Sequence, residues 1–193
     1  MADAGRVIAG SAKGVRLEAP GPGTRPLADR VKQTLFAILD PELGDAVVAD
    51  LFAGSGAAGI EALSRGAARA TFVERHAGTA RVLAGNLRRA RVDGQGKVVG
   101  REVLAWLDDP AGAAADGPFD LVVVDPPYED VEAMRGTLDR LGAHVRPGGV
   151  VVAKHFWRDA LPPEIGLLAS ERERRFGETA LTFYRRPKED PER

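Results

Sequence analysis

Five short apolar runs, at residues 46–51, 70–74, 97–100, 119–124 and 149–154, alternate with stretches of helical pattern, and this alternation constrains the chain more than any other feature. Strands separated by helices pair in parallel, because each helix carries the chain back along the sheet before the next strand begins. Runs as continuously apolar as LVVV at 121–124 present no polar face, so they are buried on both sides. The helical candidates are residues 57–65, closed by Gly66, then 77–90, 103–108 and 131–143, the last ahead of a turn at Arg146-Pro147-Gly148-Gly149. Beyond Pro162-Pro163, residues 165–175 and 179–186 flank Gly177 and predict a hairpin that closes the sheet. The expected class is α/β, with a mostly parallel sheet and an antiparallel end.

Ahead of this core, residues 6–9 and 15–18 predict a small hairpin around 11–14. Leu27, Val31, Leu35 and Ile38 recur at helical spacing and predict an amphipathic helix over 27–39. The Ala-Gly stretch 110–117 reads as a surface loop and the last residues as a frayed tail. A chain of 193 residues holds one well-buried core and has no room for two ordinary domains. It has no cysteine, and His76, His144 and His155 lie too far apart for a local zinc motif, so no metal is expected. His76 and His144 read as solvated helix-side residues and Trp106 as core, while His155 with Phe156 and Trp157 could either cover a site or pack. No run approaches the roughly 18 apolar residues of a membrane helix, and the first residues do not resemble a signal peptide, so the expected location is cytoplasmic. A net charge of -1 disfavours a strongly basic nucleic-acid binder. Residues 1–36, however, carry Arg6, Lys13, Arg16, Arg25, Arg30 and Lys32 against Asp3, Glu18 and Asp29, which makes this segment the basic one.

Two motifs carry chemistry. In VVADLFAGSGAAGIEAL, from residue 47, a strand ends at Asp50 and runs through Gly54-Ser55-Gly56 into a helix. Glycines let a ligand approach the backbone, and the helix start offers unpaired N–H groups. With Gly59 they satisfy G-x-G-x-x-G, and Glu74 ends the next strand, where an acid grips ribose hydroxyls. A nucleoside-containing cofactor follows, either a nicotinamide dinucleotide or S-adenosylmethionine. Asp50 leans toward the second, since a carboxylate there would repel a pyrophosphate and attract an amino acid's ammonium.

The second motif is FDLVVVDPPY at 119–128, which delivers Asp125-Pro126-Pro127-Tyr128 to the carboxyl edge of the sheet. A nucleobase amine is a poor nucleophile because its lone pair is delocalised into the ring. A carboxylate and a backbone carbonyl that accept its two N–H hydrogens turn that lone pair toward an electrophile. Two prolines supply carbonyls without competing N–H groups, and the adjacent aromatic ring can stack on the base. A dehydrogenase would not require this arrangement.

DLFAGSG followed by DPPY resembles the Rossmann-like, S-adenosylmethionine-dependent amino-group methyltransferases. RVIAGSAKGVRLEAP, TRPLADRVKQTLFAIL and RRFGETALTFYRR, with those motifs, resemble the bacterial RsmD family over about residues 5–187. The resemblance implies a seven-stranded, class I methyltransferase core and methylation of the N2 amine of a guanine in 16S ribosomal RNA. It implies S-adenosyl-L-methionine as cofactor, and a small-subunit assembly particle is the expected setting of the RNA. By this resemblance Asp50, Phe52, Gly54, Ser55 and Gly56 hold the methionine part, Glu74 the ribose and Glu102 the adenine amine. Asp125, Pro126, Pro127 and Tyr128 hold the target guanine, and Arg25, Asp29 and Thr34 border the methionine pocket. Residues 1–40 form an RNA-contacting extension through Lys13, Arg16, Arg25 and Arg30, residues 41–187 the core and 188–193 the tail. The alternatives are a DNA adenine or cytosine amino-methyltransferase, disfavoured by the lack of room for a recognition insertion, and a noncatalytic RNA-binding protein on the same fold.

Overall fold

The computed structural model describes residues 3–21 and 29–188. Arg25 and Leu27 lie outside the described residues. The chain forms two compact units, Met1–Val103 and Leu104–Arg193, which cut it elsewhere than the 40/41 boundary drawn on the sequence.

In the first unit β1 (Asp3–Arg6) and β2 (Arg16–Glu18) pair antiparallel. Then come α1 (Asp29–Leu39), β3 (Val47–Leu51), α2 (Ala57–Ser64), β4 (Arg69–Val73), α3 (Ala77–Ala90) and β5 (Gly96–Val99). Strands β3, β4 and β5 lie side by side in parallel, Leu51 opposite Val73 and Val73 opposite Val99, so residues just past these strands gather at one edge. The sequence-predicted N-terminal hairpin is present with its strands displaced outward. Val7 N–H donates to Val15 O and Gly14 N–H to Val7 O, so residues 7–15 close as a loop.

This hairpin is fastened to α2 by a buried carboxylate. Glu61, fully buried, accepts the Ile8 N–H at 2.7 Å and the Ala9 N–H at 3.0 Å. Its Oε1 also accepts from Arg65 Nε at 2.8 Å, and Lys32 Nζ lies 3.9 Å from its Oε2. Lys32 is itself fully buried and donates to Arg6 O; burial pushes its pKa down, while Glu61 pulls it up. Ser64 adds a further link, donating to Ala9 O at 2.6 Å and accepting from Ala12 N at 2.9 Å. The extension is thus part of the first unit's interior.

In the second unit β6 (Phe119–Val124) and β7 (Val145–Phe156) pair in parallel, with α6 (Val131–Leu141) between them in sequence. The helix begins at Asp130, whose side chain accepts the Ala133 N–H, and buries Met134, Leu138 and Leu141. Strand β10 (Thr179–Arg185) is antiparallel to β7 and to β9 (Leu168–Phe176), and the two-residue β8 (Glu164–Ile165) completes the edge. Among the described residues, three strands in one ladder and five in the other make one more than the seven expected, the addition being β8. The run read as one strand over 165–175 is interrupted at Gly166, where φ is +56° and β8 turns into β9. The supposed turn at 146–149 belongs to β7, because Gly148 N–H donates to Arg186 O and Arg186 N–H to Gly149 O. The predicted loop 110–117 contains the short helix α5 (Ala113–Asp116), with Ala113 buried. Among the described residues no helix is long and apolar enough to cross a membrane.

Candidate active site

In the first unit the loop after β3 is set by carboxylates at the ends of β3 and β4. Asp50, 2% exposed, accepts the Gly59 N–H through Oδ2 at 2.8 Å. Gly59 is the third residue of α2, so this carboxylate satisfies one of the N–H groups a helix start leaves unpaired. Glu74 is buried and accepts the Gly54 N–H at 3.1 Å through one oxygen and the His76 N–H at 2.8 Å through the other. The acid at the expected ribose position is therefore already oriented by the loop it serves. Each oxygen keeps a second lone-pair direction for a hydroxyl donor.

Phe52 has φ +60°, a left-handed conformation that is costly for a residue with a Cβ. It turns the chain sharply out of the strand. The glycines divide into two kinds. A Cβ on Gly54, at φ +54°, would meet only Phe52 O at 3.9 Å, so the space beside it is open to a ligand. A Cβ on Gly56, at φ +79°, would collide with Leu83, and one on Gly59 with Phe72. The sequence reading that Gly56 makes room for the cofactor is corrected here: that glycine makes room for the core. Gly56→Val should therefore destabilise the fold by about 1–3 kcal/mol or more through overpacking and backbone strain, measured by urea unfolding. A variant of wild-type stability that has lost only cofactor binding would restore the first reading.

Asn86, fully buried on α3, ties the loop to the hairpin. Its Nδ2 donates to Ser55 O and to Glu18 O, both at 2.9 Å, and its Oδ1 accepts the Glu18 N–H at 2.9 Å. Glu102 is half-buried in the turn between β5 and α4 (Val103–Leu107). Asp29 is half-buried at the start of α1 with Arg6 at 3.5 Å, and Thr34 Oγ1 donates to Arg30 O at 3.1 Å. Of the expected RNA contacts, Lys13 and Arg30 are exposed, and Arg16, also exposed, pairs with Asp3 at 2.9 Å. Because Lys32 is buried and Arg6 and Arg16 are paired, the net positive charge of this segment is less available than composition implied.

In the second unit β6 delivers Asp125 to its carboxyl end, and the parallel register of Val124 with Ala153 sets Lys154 of β7 alongside. Lys154 Nζ donates to Asp125 Oδ1 at 2.6 Å and lies 5.0 Å from the Tyr128 ring centroid. Burial raises the Asp125 pKa, and the Lys154 ammonium and its hydrogen bond pull it back. Pro126 is buried and Pro127 exposed. The Tyr128 hydroxyl shares a 2.7 Å hydrogen bond with Thr179 Oγ1, and its ring lies 6.3 Å from that of Phe156, so strand β10 helps fix the ring. A pocket beside this edge is lined by Pro126, Pro127, Tyr128, Met134, Lys154 and Phe156, among others.

Lys154 and Thr179 had no role assigned at this site from the sequence, whereas Phe156, read as either covering a site or packing, lies against the Tyr128 ring. His155 packs in the core, with Nε2 2.8 Å from Thr182 Oγ1, and Trp106 is buried as expected. His76 is exposed as read, whereas His144 is half-buried, which lowers its pKa. Among the described residues no group of three or more His, Asp or Glu side chains could hold a metal ion.

A family model described as conserved hypothetical protein 95 matches residues 5–185. Ribosomal RNA small subunit methyltransferase D of Escherichia coli K12 is 34% identical over 188 residues, covering 94% of this chain and 89% of that protein. A solved structure from E. coli superposes with a TM-score of 0.82 at 31% identity, covering 94% of this chain and 97% of the other. An RNA methyltransferase from Salinibacter ruber in complex with S-adenosyl-L-homocysteine shares the fold, with a TM-score of 0.63 at 18% identity over 88% of this chain and 98% of that one. The class these features define is the Rossmann-like, S-adenosylmethionine-dependent methyltransferase. The open face of Gly54 and the preset carboxylate of Glu74 fit such a cofactor. Within that class, the chain belongs to the RsmD family.

Proposed function

We propose that this protein transfers the methyl group of S-adenosylmethionine to the exocyclic N2 amine of a guanine in 16S ribosomal RNA, within a small-subunit assembly particle in the cytoplasm. The supporting observation is the state of Asp125: Oδ1 is anchored by Lys154, while Oδ2 has no hydrogen-bond partner among the described residues and the side chain is 27% exposed. An acceptor held this way can take one N–H of an incoming amine, and the carbonyl of Pro126 can take the other.

The cofactor supplies a methyl group on a sulfonium, and the protein's work is to orient and desolvate. Glu74 binds the ribose hydroxyls, Glu102 the adenine amine, and Asp50, Phe52, Gly54, Ser55 and Gly56 shape the methionine end, the last through packing. Asp125 offsets the positive charge that develops on N2 as the C–N bond forms. Tyr128 stacks on the base, which must leave its own stack to be reached. Lys13, Arg16, Arg25 and Arg30 contact RNA phosphate, and residues 1–40 serve as the RNA-binding extension of a core at 41–187 with a tail at 188–193.

The test is transfer of tritiated methyl from S-adenosylmethionine to small-subunit RNA and particles from cells lacking this protein, with the labelled nucleoside identified by mass spectrometry. N2-methylguanosine is expected; label only in adenosine or cytidine, or none, refutes the reading. Glu74→Ala should weaken cofactor binding by about 1–3 kcal/mol in calorimetry, the scale of hydrogen bonds to a charged group. Unchanged affinity would move the ribose contact to another residue.

A further inference from the structure

We infer that Lys154 reads the O6 atom of the target base and so adds a third contact to the two by which Asp125 selects guanine. The inference rests on the proposed reaction and adds to it a second residue that sets base specificity.

The pair presents a fixed order of hydrogen-bonding groups: Oδ2 of Asp125, then Oδ1, then the Lys154 ammonium 2.6 Å from Oδ1. That order is acceptor, acceptor, donor. The Watson–Crick edge of guanine is N2–H, N1–H, O6, which is donor, donor, acceptor. Each group on the base meets its complement. Adenine offers N6–H followed by the N1 lone pair, and cytosine N4–H followed by the N3 lone pair. Either base would set a lone pair against a carboxylate oxygen, and adenine, with C2–H in the third place, would also leave the ammonium without an acceptor. The carboxylate tests the amine and the N1 position, and the ammonium adds a test of the neighbouring O6 position.

Three features make Lys154 fit for the task. It lies within β7, two residues before the strand's end, and is 8% exposed, so its stem is held by the sheet. Among the described residues its ammonium donates to Asp125 alone, which leaves two further N–H groups. It also lies over the Tyr128 ring, 5.0 Å from its centroid, next to the aromatic face offered to the base. A site with buried polar groups committed to a substrate edge rejects analogues lacking that edge, because those groups are left unpaired.

The experiment compares small-subunit RNA carrying guanosine at the mapped nucleotide with the same RNA carrying 2-aminopurine riboside, presented naked and in reconstituted particles. The analogue keeps the C2 amine and lacks both O6 and N1–H. The wild type should prefer guanosine strongly in kcat/KM, and Lys154→Met should lower that preference at least about tenfold. Lys154→Arg, which keeps a donor, should retain most of it. Both enzymes are compared at a pH above the acid limb of their own pH–rate profiles, where Asp125 is ionised; there a preference that falls by less than tenfold in Lys154→Met overturns the inference, because a lysine that only positions the ionised Asp125 slows transfer to both RNAs alike. If the Met variant does not fold, Lys154→Leu, which likewise has no donor, carries the same comparison. A wild type that forms no N2-methylguanosine would sink the proposed reaction itself, whereas a wild type that forms it with an unchanged preference in the variant sinks only the role of Lys154.

Discussion

Asp125→Ala should slow methyl transfer at least about 10²-fold while cofactor affinity stays at the wild-type value, the scale of losing one preorganised transition-state contact. The residue follows β6, with one carboxylate oxygen occupied by Lys154 and the other open, so its removal takes away the only acidic acceptor of the motif proposed to hold the base. Its ionisation carries a second expectation. Burial raises its pKa, and a protonated carboxyl no longer accepts two N–H groups or balances positive charge. Transfer by the wild type should therefore fall as pH drops through that raised value and recover above it. Lys154→Met removes the partner that pulls the value down, so the acid limb of its pH–rate profile should move to higher pH. Near-normal turnover of Asp125→Ala, or an acid limb that ignores Lys154, would contradict the role given to the carboxylate.

The second large effect concerns stability. Glu61→Leu should cost about 3–5 kcal/mol in urea unfolding, the scale for breaking a buried charge pair from one side. The substitution strands the Ile8 and Ala9 N–H groups and leaves Lys32 buried without its anion. Lys32→Met combined with Glu61→Leu should cost less than the two single losses added, because the double variant no longer buries an uncompensated ammonium. Strict additivity would mean that Lys32 and Glu61 act independently despite lying 3.9 Å apart.

Elements with a local cause were legible in the sequence. The buried parallel strands, the helices between them and the closing hairpin follow from periodicity and glycine placement, and most reappear within a residue or two; the hairpin's first strand starts three residues later, at Leu168. Boundaries moved where a distant partner decides the backbone: residues 146–149 look like a turn, yet pairing with Arg186 makes them strand. The motif at 125–128 was legible because its residue types have few other uses together. Lys154 was legible in principle, since Asp125 and Lys154 each follow an apolar strand that must pair in parallel, but the register that makes them neighbours is a property of the folded sheet. Gly56 and Gly59 read as ligand-binding because their spacing fits that motif, while the side chains they accommodate, Leu83 and Phe72, stand many residues away. Glu61 gave no signal, as a single acid within an apolar helix whose partners lie 52 and 53 residues earlier.

That last separation bears on synthesis. A ribosome makes the chain from its N-terminus, so residues 3–18 emerge well before the carboxylate that fastens them. Until Glu61 and Ser64 follow, the N–H groups of Ile8, Ala9 and Ala12 are left to solvent, and a two-stranded hairpin this short has little stability of its own. The basic segment is thus the part of the first unit that waits longest for its place.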